Sequence, residues 1–328
     1  MSLLSTPHQG TFPAHPKIIF MGTPEYAVAS LDALVGAGHN VLAVVTQPDR
    51  PKGRTKTPSP PPVKQAAREM HLDLFQPENA SEPGFCRAIR ELQPDLLVVV
   101  AFGQVLKREL LGIPPWGGLN IHASLLPKYR GAAPIQWAII NGEKETGLTA
   151  MVMEEGLDTG PILLQKKTAL STRETAGNLH DRLSVLSGEL LLESLEKLAE
   201  GLLIPRPQDD LVATYAPKID KRISVIDWMK PAESLSGLIR GLDPFPGAVT
   251  SVGEKTVKLF SPRLADFKPK KQAPGTVLDC SLKGVLIQTG EGILEIRELQ
   301  ATGKKRLPAD AFLRGFPMEK GTVLGERV

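Results

Sequence analysis

Acyl transfer to an amine needs a hydrogen-bond donor for the oxyanion, an acceptor for the departing proton, and a group that holds or relieves the acceptor. Asn120, His122 and Asp158 supply those types. Leu119 to Ile121 is short and apolar and reads as a strand, whose period of two puts Asn120 and His122 on one face. Gly156 and Gly160 bracket Asp158 in a turn. Its carboxylate is therefore expected to reach across from another strand end, hydrogen-bond the imidazole and set its tautomer. Between these residues, Ser124-Leu125-Leu126-Pro127 leaves the sheet, because Pro127 removes a ladder donor and biases Leu126 toward extended geometry. That frees the backbone for a ligand. Singly, each residue has an ordinary explanation: the Asn as a turn former, the His as a structural residue, the Asp as a loop residue. Their order and neighbours set them apart.

The elements that must position them read as a parallel sheet. Lys17 to Met21 is an apolar run ending in Gly22-Thr23-Pro24-Glu25, where Thr23 can cap a helix, Pro24 fits its first position and Glu25 favours its positive end. A helix over about 25–36 and a Val-rich strand over 41–47 complete a βαβ unit. With only Gly22 in the turn, the dinucleotide fingerprint is missing. Helices follow over 63–70 and 81–92, with a short strand over 72–75 between them. Leu96-Leu97-Val98-Val99-Val100 is a continuous apolar run, the pattern of a strand buried on both faces. Its end delivers Phe102, Gly103, Gln104, Val105 and Leu106 to the place where open α/β sheets bind ligands. Gly103 would let a flat ring approach the backbone. Beyond Pro127, residues 128–134 lead into a helix over 135–141, with Arg130 placed either to hold an anion or to cover the loop. Strands over 146–153 and 161–169 flank Asp158. An amphipathic helix over 174–201 buries Leu183, Leu186, Leu190, Leu191, Leu195 and Leu198.

Stretch 48–64 is too proline-rich for helix or strand, and five basic residues, Arg50, Lys52, Arg54, Lys56 and Lys64, face one acid, Asp49. Such a loop either grips phosphates or is a solvated connection. Residues 202–220 are polar and proline-containing, and read as a linker between a catalytic domain over 17–201 and a C-terminal domain over 221–328. In that domain a helix over 231–241 precedes strand-like runs over 249–251, 255–260, 275–278, 284–289 and 292–300, which suggest a small β-barrel of the oligonucleotide-binding kind. Its basic residues, Lys304 and Lys305 among them, have no aromatic ladder between them, so phosphate contact is expected instead of base stacking.

Composition agrees with a soluble α/β protein: 41% of the 328 residues are hydrophobic and 23% charged. There is no apolar run of about 18 residues to span a membrane. Cys86 and Cys280 lack metal-ligand or disulfide-framework spacing, which suits a reducing cytoplasm and a reaction without a metal. Residues 1–16 read as a disordered extension with neither a signal-peptide nor a transit-peptide pattern. The net charge is +3, but residues 221–328 carry 18 Lys and Arg against 12 Asp and Glu, whereas residues 1–220 carry 21 against 24. A basic C-terminal third suits a polyanionic partner or a solvated surface.

From about Lys17 onward the chain resembles the formyltransferase family that draws on 10-formyltetrahydrofolate, and within it the enzymes that act on methionyl-tRNA. The shared words are Gly22-Thr23-Pro24-Glu25, Gln47-Pro48-Asp49-Arg50-Pro51, Gly53-Arg54, Ala101-Phe102-Gly103, the run from Asn120 to Pro127, the run from Arg130 to Gln136, and Gly156-Leu157-Asp158-Thr159-Gly160. The resemblance implies a Rossmann-like formyltransferase domain with a parallel-rich sheet, followed by a smaller barrel of the oligonucleotide-binding type. It implies Asn120, His122 and Asp158 as the catalytic trio, with Phe102, Gly103, Gln104, Val105, Leu106, Ser124, Leu125, Leu126 and Pro127 around the folate. It implies contact between initiator methionyl-tRNA and Arg54 with its loop neighbours Arg50, Lys52 and Lys56, and the barrel's Lys304 and Lys305 are expected to join them in a cytoplasmic, bacterial enzyme; with no evident self-complementary apolar patch in the sequence, a monomer is expected. Thr55 stands where a glycine is frequent, and the basic run after it is reduced to Lys56. A formyltransferase for a small sugar or purine-precursor amine, or a silent RNA-binding protein, are the alternatives; the basic barrel disfavours the first and the intact trio the second.

Overall fold

A computed structural model describes residues 11–51, 57–266, 272–281 and 283–325. The chain separates into two compact units, each discontinuous in sequence. One holds the described residues up to Gly131, Thr146–Thr168 and His180–Ala216; the other holds Ala132–Glu145, Ala169–Leu179 and the described residues from Pro217 onward. Among the described residues, no helix is long and apolar enough to cross a membrane.

The first unit is built on strands β1 (Lys17–Gly22), β2 (Asn40–Val45), β3 (Arg50–Pro51), β4 (Pro58–Ser59), β5 (Leu74–Phe75), β6 (Leu96–Val100), β7 (Gly118–His122), β8 (Glu145–Val152) and β9 (Ile162–Ala169). Seven of them form one sheet in the order β5-β2-β1-β6-β7-β8-β9. The pairs from β5 to β7 are parallel and β7 meets β8 antiparallel, so the sheet is parallel-rich as expected. Ile18, Ile19, Phe20 and Met21 of β1 are all fully buried, and every residue of β6 is buried. An uninterrupted apolar run survives in a strand only where both faces are covered, and helices supply the cover. They are α1 (Val28–Gly36), α2 (Pro62–Glu69), α3 (Pro83–Glu91) and α4 (Arg108–Leu111).

Strand order reverses direction between β1 and β6, and the carboxyl ends of these strands are where such folds hold ligands. Thr23 lies at that point. It does not cap the following helix as expected: Pro24 occupies the N-cap without a side-chain bond, and Thr23 Oγ1 donates to the Phe102 carbonyl at 2.7 Å. The Thr23 oxygen accepts from Gln47 N at 3.4 Å, so the hydroxyl's hydrogen and its acceptor side both go to neighbouring strand ends and tie β1 to β2 and β6.

The loop over 48–64 also differs from expectation. Arg50 and Pro51 pair with Ser59 and Pro58 in a short antiparallel ladder. Proline is tolerated at a sheet edge, where its missing N–H faces away from the partner. Lys52, Gly53, Arg54, Thr55 and Lys56 lie outside the described residues, as does the expected extension up to position 10. Phe12 is buried, edge-on to Trp116 with ring centroids 5.2 Å apart.

The second unit contains α5 (Pro134–Ile140), the start of α6 (Ala176–Ala199), α7 (Ala232–Gly241) and α8 (Ala309–Gly315). Its strands are β10 (Ala248–Val252), β11 (Lys255–Leu264), β12 (Val277–Cys280), β13 (Val285–Gln288), β14 (Ile293–Ala301) and β15 (Leu307–Pro308). They pair antiparallel in the order β10-β11-β14-β13-β12, with β15 on β14. The tail curls the sheet toward a barrel: Val277 N donates to Thr322 O at 2.8 Å on one edge, and Gly325 N donates to Ser251 O at 3.0 Å on the other. Leu235 and Ile239 of α7 fill the interior with Leu259, Leu294, Ile296 and Phe312.

Candidate active site

Asn120 and His122 stand on the last turns of β7, two residues apart and so on one face of the strand. Asn120 Nδ2 donates to the Val99 carbonyl at 3.1 Å, and its buried Oδ1 has no protein partner. The Val99 contact fixes the amide's orientation, because the reverse rotamer would set two acceptor oxygens together. One N–H and the oxygen of Asn120 are thus left for a substrate.

His122 is buried, and its Nε2 lies 3.0 Å from the Tyr129 carbonyl. A carbonyl only accepts, so Nε2 carries the hydrogen, and in the neutral ring Nδ1 is the free acceptor. Nδ1 faces Asp158 Oδ1 across 3.7 Å. That separation is too long for the direct hydrogen bond read from the sequence; the tautomer is set by Tyr129 instead. Two acceptors facing each other across such a gap form a place for one proton, or for an N–H brought in from outside. In the tautomer that donates to Tyr129 O, the His122 ring offers an acceptor at Nδ1, and the unspent N–H of Asn120 is the donor this face presents.

Asp158 is held by its loop. It has φ +53°, the left-handed region, and its Oδ2 accepts from Gly131 N at 2.8 Å. A side chain on Gly160 would place its Cβ 1.8 Å from the Val152 carbonyl, so the loop can return to β8 this closely only through glycine. Gln208 Nε2 donates to the carbonyls of Asp158 and Gly160 at 2.8 and 2.7 Å, bridging both sides of the turn. Arg130, 2% exposed, donates through Nε and Nη2 to Gln208 Oε1 at 3.1 and 2.9 Å, and pairs with Asp210 at 2.8 Å. Arg130 therefore answers the open question about its role: its guanidinium locks the loop. Thr214 completes the clamp, accepting from Tyr129 N through Oγ1 at 2.9 Å and from Arg130 N through its carbonyl at 2.9 Å.

Gln208 and Thr214 escaped sequence reasoning because they sit in the stretch that reads as a linker. The available signal was a run of side-chain donors and acceptors, Gln208-Asp209-Asp210, inside a proline-bounded segment. Nothing in a single sequence ties it to Arg130, 78 residues earlier.

The residues expected around the folate divide sharply. Phe102, Leu106 and Leu126 are buried as core, and Ser124 is buried with its hydroxyl donating to Lys128 O at 2.6 Å. Their side chains are spoken for, which leaves backbone as their accessible chemistry. Gly103 has φ +87°, Val105 is 74% exposed, and Leu125 and Pro127 are half-buried. Gln104 is committed to the chain: its Oε1 accepts from Ala80 N at 2.8 Å. Of the basic residues, Arg50 is exposed beside Glu78 at 3.4 Å, and Lys304 and Lys305 lie exposed in the turn between β14 and β15. Lys52, Arg54 and Lys56 are among the residues not described.

This fold and site define a class. Residues 16–195 match the formyl transferase family model and residues 218–317 match the formyl transferase C-terminal domain model, and the chain belongs to the formyltransferases. Within that family its relatives include the methionyl-tRNA formyltransferases of Citrifermentans bemidjiense, 48% identical over 95% of this chain and 97% of the relative, and of Pelobacter propionicus, 50% identical over 94% and 96%. Solved structures share the fold. HypX from Aquifex aeolicus in complex with tetrahydrofolic acid aligns at a TM-score of 0.63 and 21% identity over 95% of this chain, which spans 51% of that longer protein. An N-formyltransferase from Helicobacter canadensis in complex with folinic acid and dTDP-3-aminofucose aligns at 0.65 and 18% identity, covering 89% and 100%.

Proposed function

We propose that the chain transfers the formyl group of 10-formyltetrahydrofolate to the α-amine of methionyl-initiator-tRNA, giving N-formylmethionyl-tRNA for translation initiation. The observation that carries this reading is near-complete alignment, at 48–50% identity, with methionyl-tRNA formyltransferases. The site's geometry supports the chemistry. The unprotonated amine attacks the formyl carbon, and a C–N bond forms as the carbonyl electrons move onto oxygen. The free N–H of Asn120 donates to that oxyanion. The amine's surplus proton enters the gap between His122 Nδ1 and Asp158 Oδ1, two acceptors 3.7 Å apart. Collapse of the tetrahedral centre breaks the bond to N10 of the folate, which leaves with the proton as tetrahydrofolate. The folate rests against the backbone at Gly103 and Leu125 to Pro127, and all three reacting side chains come from one polypeptide, so a monomer suffices. Arg50, Lys52, Arg54, Lys56, Lys304 and Lys305 contact tRNA phosphates.

The test is transfer of labelled formyl from 10-formyltetrahydrofolate to Met-charged initiator tRNA, run beside a nucleotide-linked amino sugar. Label on the tRNA amine alone is the expected result. Transfer only to the amino sugar would reassign the acceptor, and no transfer to either would end the reading.

A further inference from the structure

The second unit contains a cleft that shares no residue with the site above. It has a volume of about 370 Å³ and is lined by elements around α5, α7, β11 and the loop before α6. Four cations, Lys144, Arg173, Arg240 and Arg263, stand on its wall against two carboxylates, Glu143 and Glu233. Like charges gather this closely only at a cost, unless something of opposite sign relieves them.

Glu174 offsets the charge of Arg240 and Glu295 that of Arg263 only in part, and the guanidinium donors stay under-used. Arg240 spends one N–H on the Glu174 carbonyl at 3.1 Å, and Arg263 spends one on the Pro262 carbonyl at 2.8 Å. Each keeps a buried Nε–H with no acceptor. Burial pulls the Arg240 guanidinium below its ordinary range and the charge of Arg263 pulls it further, with Glu174 opposing. Arg263 is likewise lowered by burial first, then by Arg173 and Arg297, against Glu295. Glu295 is itself engaged with Arg297 at 2.7 Å. A guanidinium carries five donors in a planar fork that matches phosphate oxygens, so two under-used forks beside two more cations have the chemistry of a phosphate receptor. The cleft has room for one or two phosphate groups and part of what carries them.

We propose that this cleft is an anion site of the second unit that binds a phosphate-bearing ligand through Arg173, Arg240 and Arg263. Inorganic pyrophosphate is the probe. Titrated calorimetrically into the full chain at constant ionic strength, it is expected to bind saturably with one-to-one stoichiometry. The R173Q/R263Q protein is expected to bind at least tenfold more weakly, and R263K to recover part of the loss. E143Q/E233Q, which removes the opposing carboxylates, is expected to bind more tightly, a gain that a misfolded protein would not show. Competition separates the sources of the phosphate. Displacement of pyrophosphate by an uncharged-end RNA oligonucleotide assigns the site to nucleic-acid backbone, and failure of displacement assigns it to a small phosphate ester or diphosphate. Absence of saturable binding to the wild-type chain, or equal binding by R173Q/R263Q, overturns the proposal.

Discussion

Asn120 carries the clearest residue-scale consequence. Its amide is oriented by Val99, so shortening it removes a fixed donor without disturbing the strand ladder. Loss of one oxyanion donor typically costs about 10²–10³ in turnover. Asn120→Ala should show that loss in kcat, with KM for either substrate changed far less. Gln208 tests the clamp. Gln208→Glu keeps an acceptor for buried Arg130 but replaces the one nitrogen that donates to both Asp158 O and Gly160 O with an oxygen that repels both. It should fold with a melting temperature near wild type and lose about tenfold to a hundredfold in kcat, the scale of a small misplacement of a catalytic group. Gln208→Ala should lose stability as well, because Arg130 is then left buried with Asp210 alone. Equal kcat in wild type and Gln208→Glu would remove Gln208 from the positioning of Asp158.

At the scale of elements, the Asp158 turn depends on Gly160. Gly160→Ala must push the turn off β8, since the new methyl would meet the Val152 carbonyl at 1.8 Å. Both activity and thermal midpoint should fall. Gly36→Ala, at the end of α1 with nothing within 4 Å of the added carbon, is the contrast, and should be neutral or stabilising by up to about 1 kcal/mol. In the barrel, Arg306 joins the turn after α7 to β11 and β14: it bonds Asp243 at 2.8 Å and Glu298 at 2.5 Å, and lies 4.1 Å over the Phe260 ring. Burial pushes the Glu298 carboxyl up, but hydrogen bonds from Ser261 and Arg306, with the charge of Arg306, outweigh it and hold the group below its ordinary range. A carboxyl lowered in the folded state adds stability above the unfolded value and loses it as pH falls through the folded one. The stability gap between wild type and Arg306→Leu, read from urea midpoints, should therefore narrow as pH drops below the ordinary carboxylate range. A gap that stays constant to acid pH would show that packing on Phe260, not charge, holds Arg306.

For the whole molecule, the proposed split between short-range chemistry and charged contacts to tRNA sets the expected salt response. In the proposed function, formyl transfer relies on short-range contacts around Asn120, His122 and Asp158, whereas tRNA affinity would rest on Lys and Arg contacts to phosphates that release the counterions condensed on the RNA. KM for charged tRNA should rise steeply with salt while kcat at saturating tRNA stays nearly flat. Lys304→Ala/Lys305→Ala should raise KM and lower the slope of log KM against log salt by about one to two, the value expected for two lost phosphate contacts. A slope unchanged by the double substitution would take these lysines out of the tRNA interface.

Much of this protein was legible in its amino acids alone. The apolar runs at Lys17 to Met21 and Leu96 to Val100 admit only buried parallel strands, and alternation along Leu119 to His122 puts an amide and an imidazole on one face; both follow from local geometry that any chain of these residues must obey. The family words around Asn120, Arg130 and Asp158 carried the fold class and the chemistry with them. What they could not carry was any relation between residues far apart along the chain. That His122 turns its Nε2 hydrogen to Tyr129 and leaves Nδ1 open toward Asp158, that Thr23 serves β6 instead of its own helix, and that Gln208 and Arg130 clamp the Asp158 turn were all decided by tertiary structure. A hydrogen bond goes to whichever partner packing brings within about 3 Å, and no periodicity in sequence records that distance.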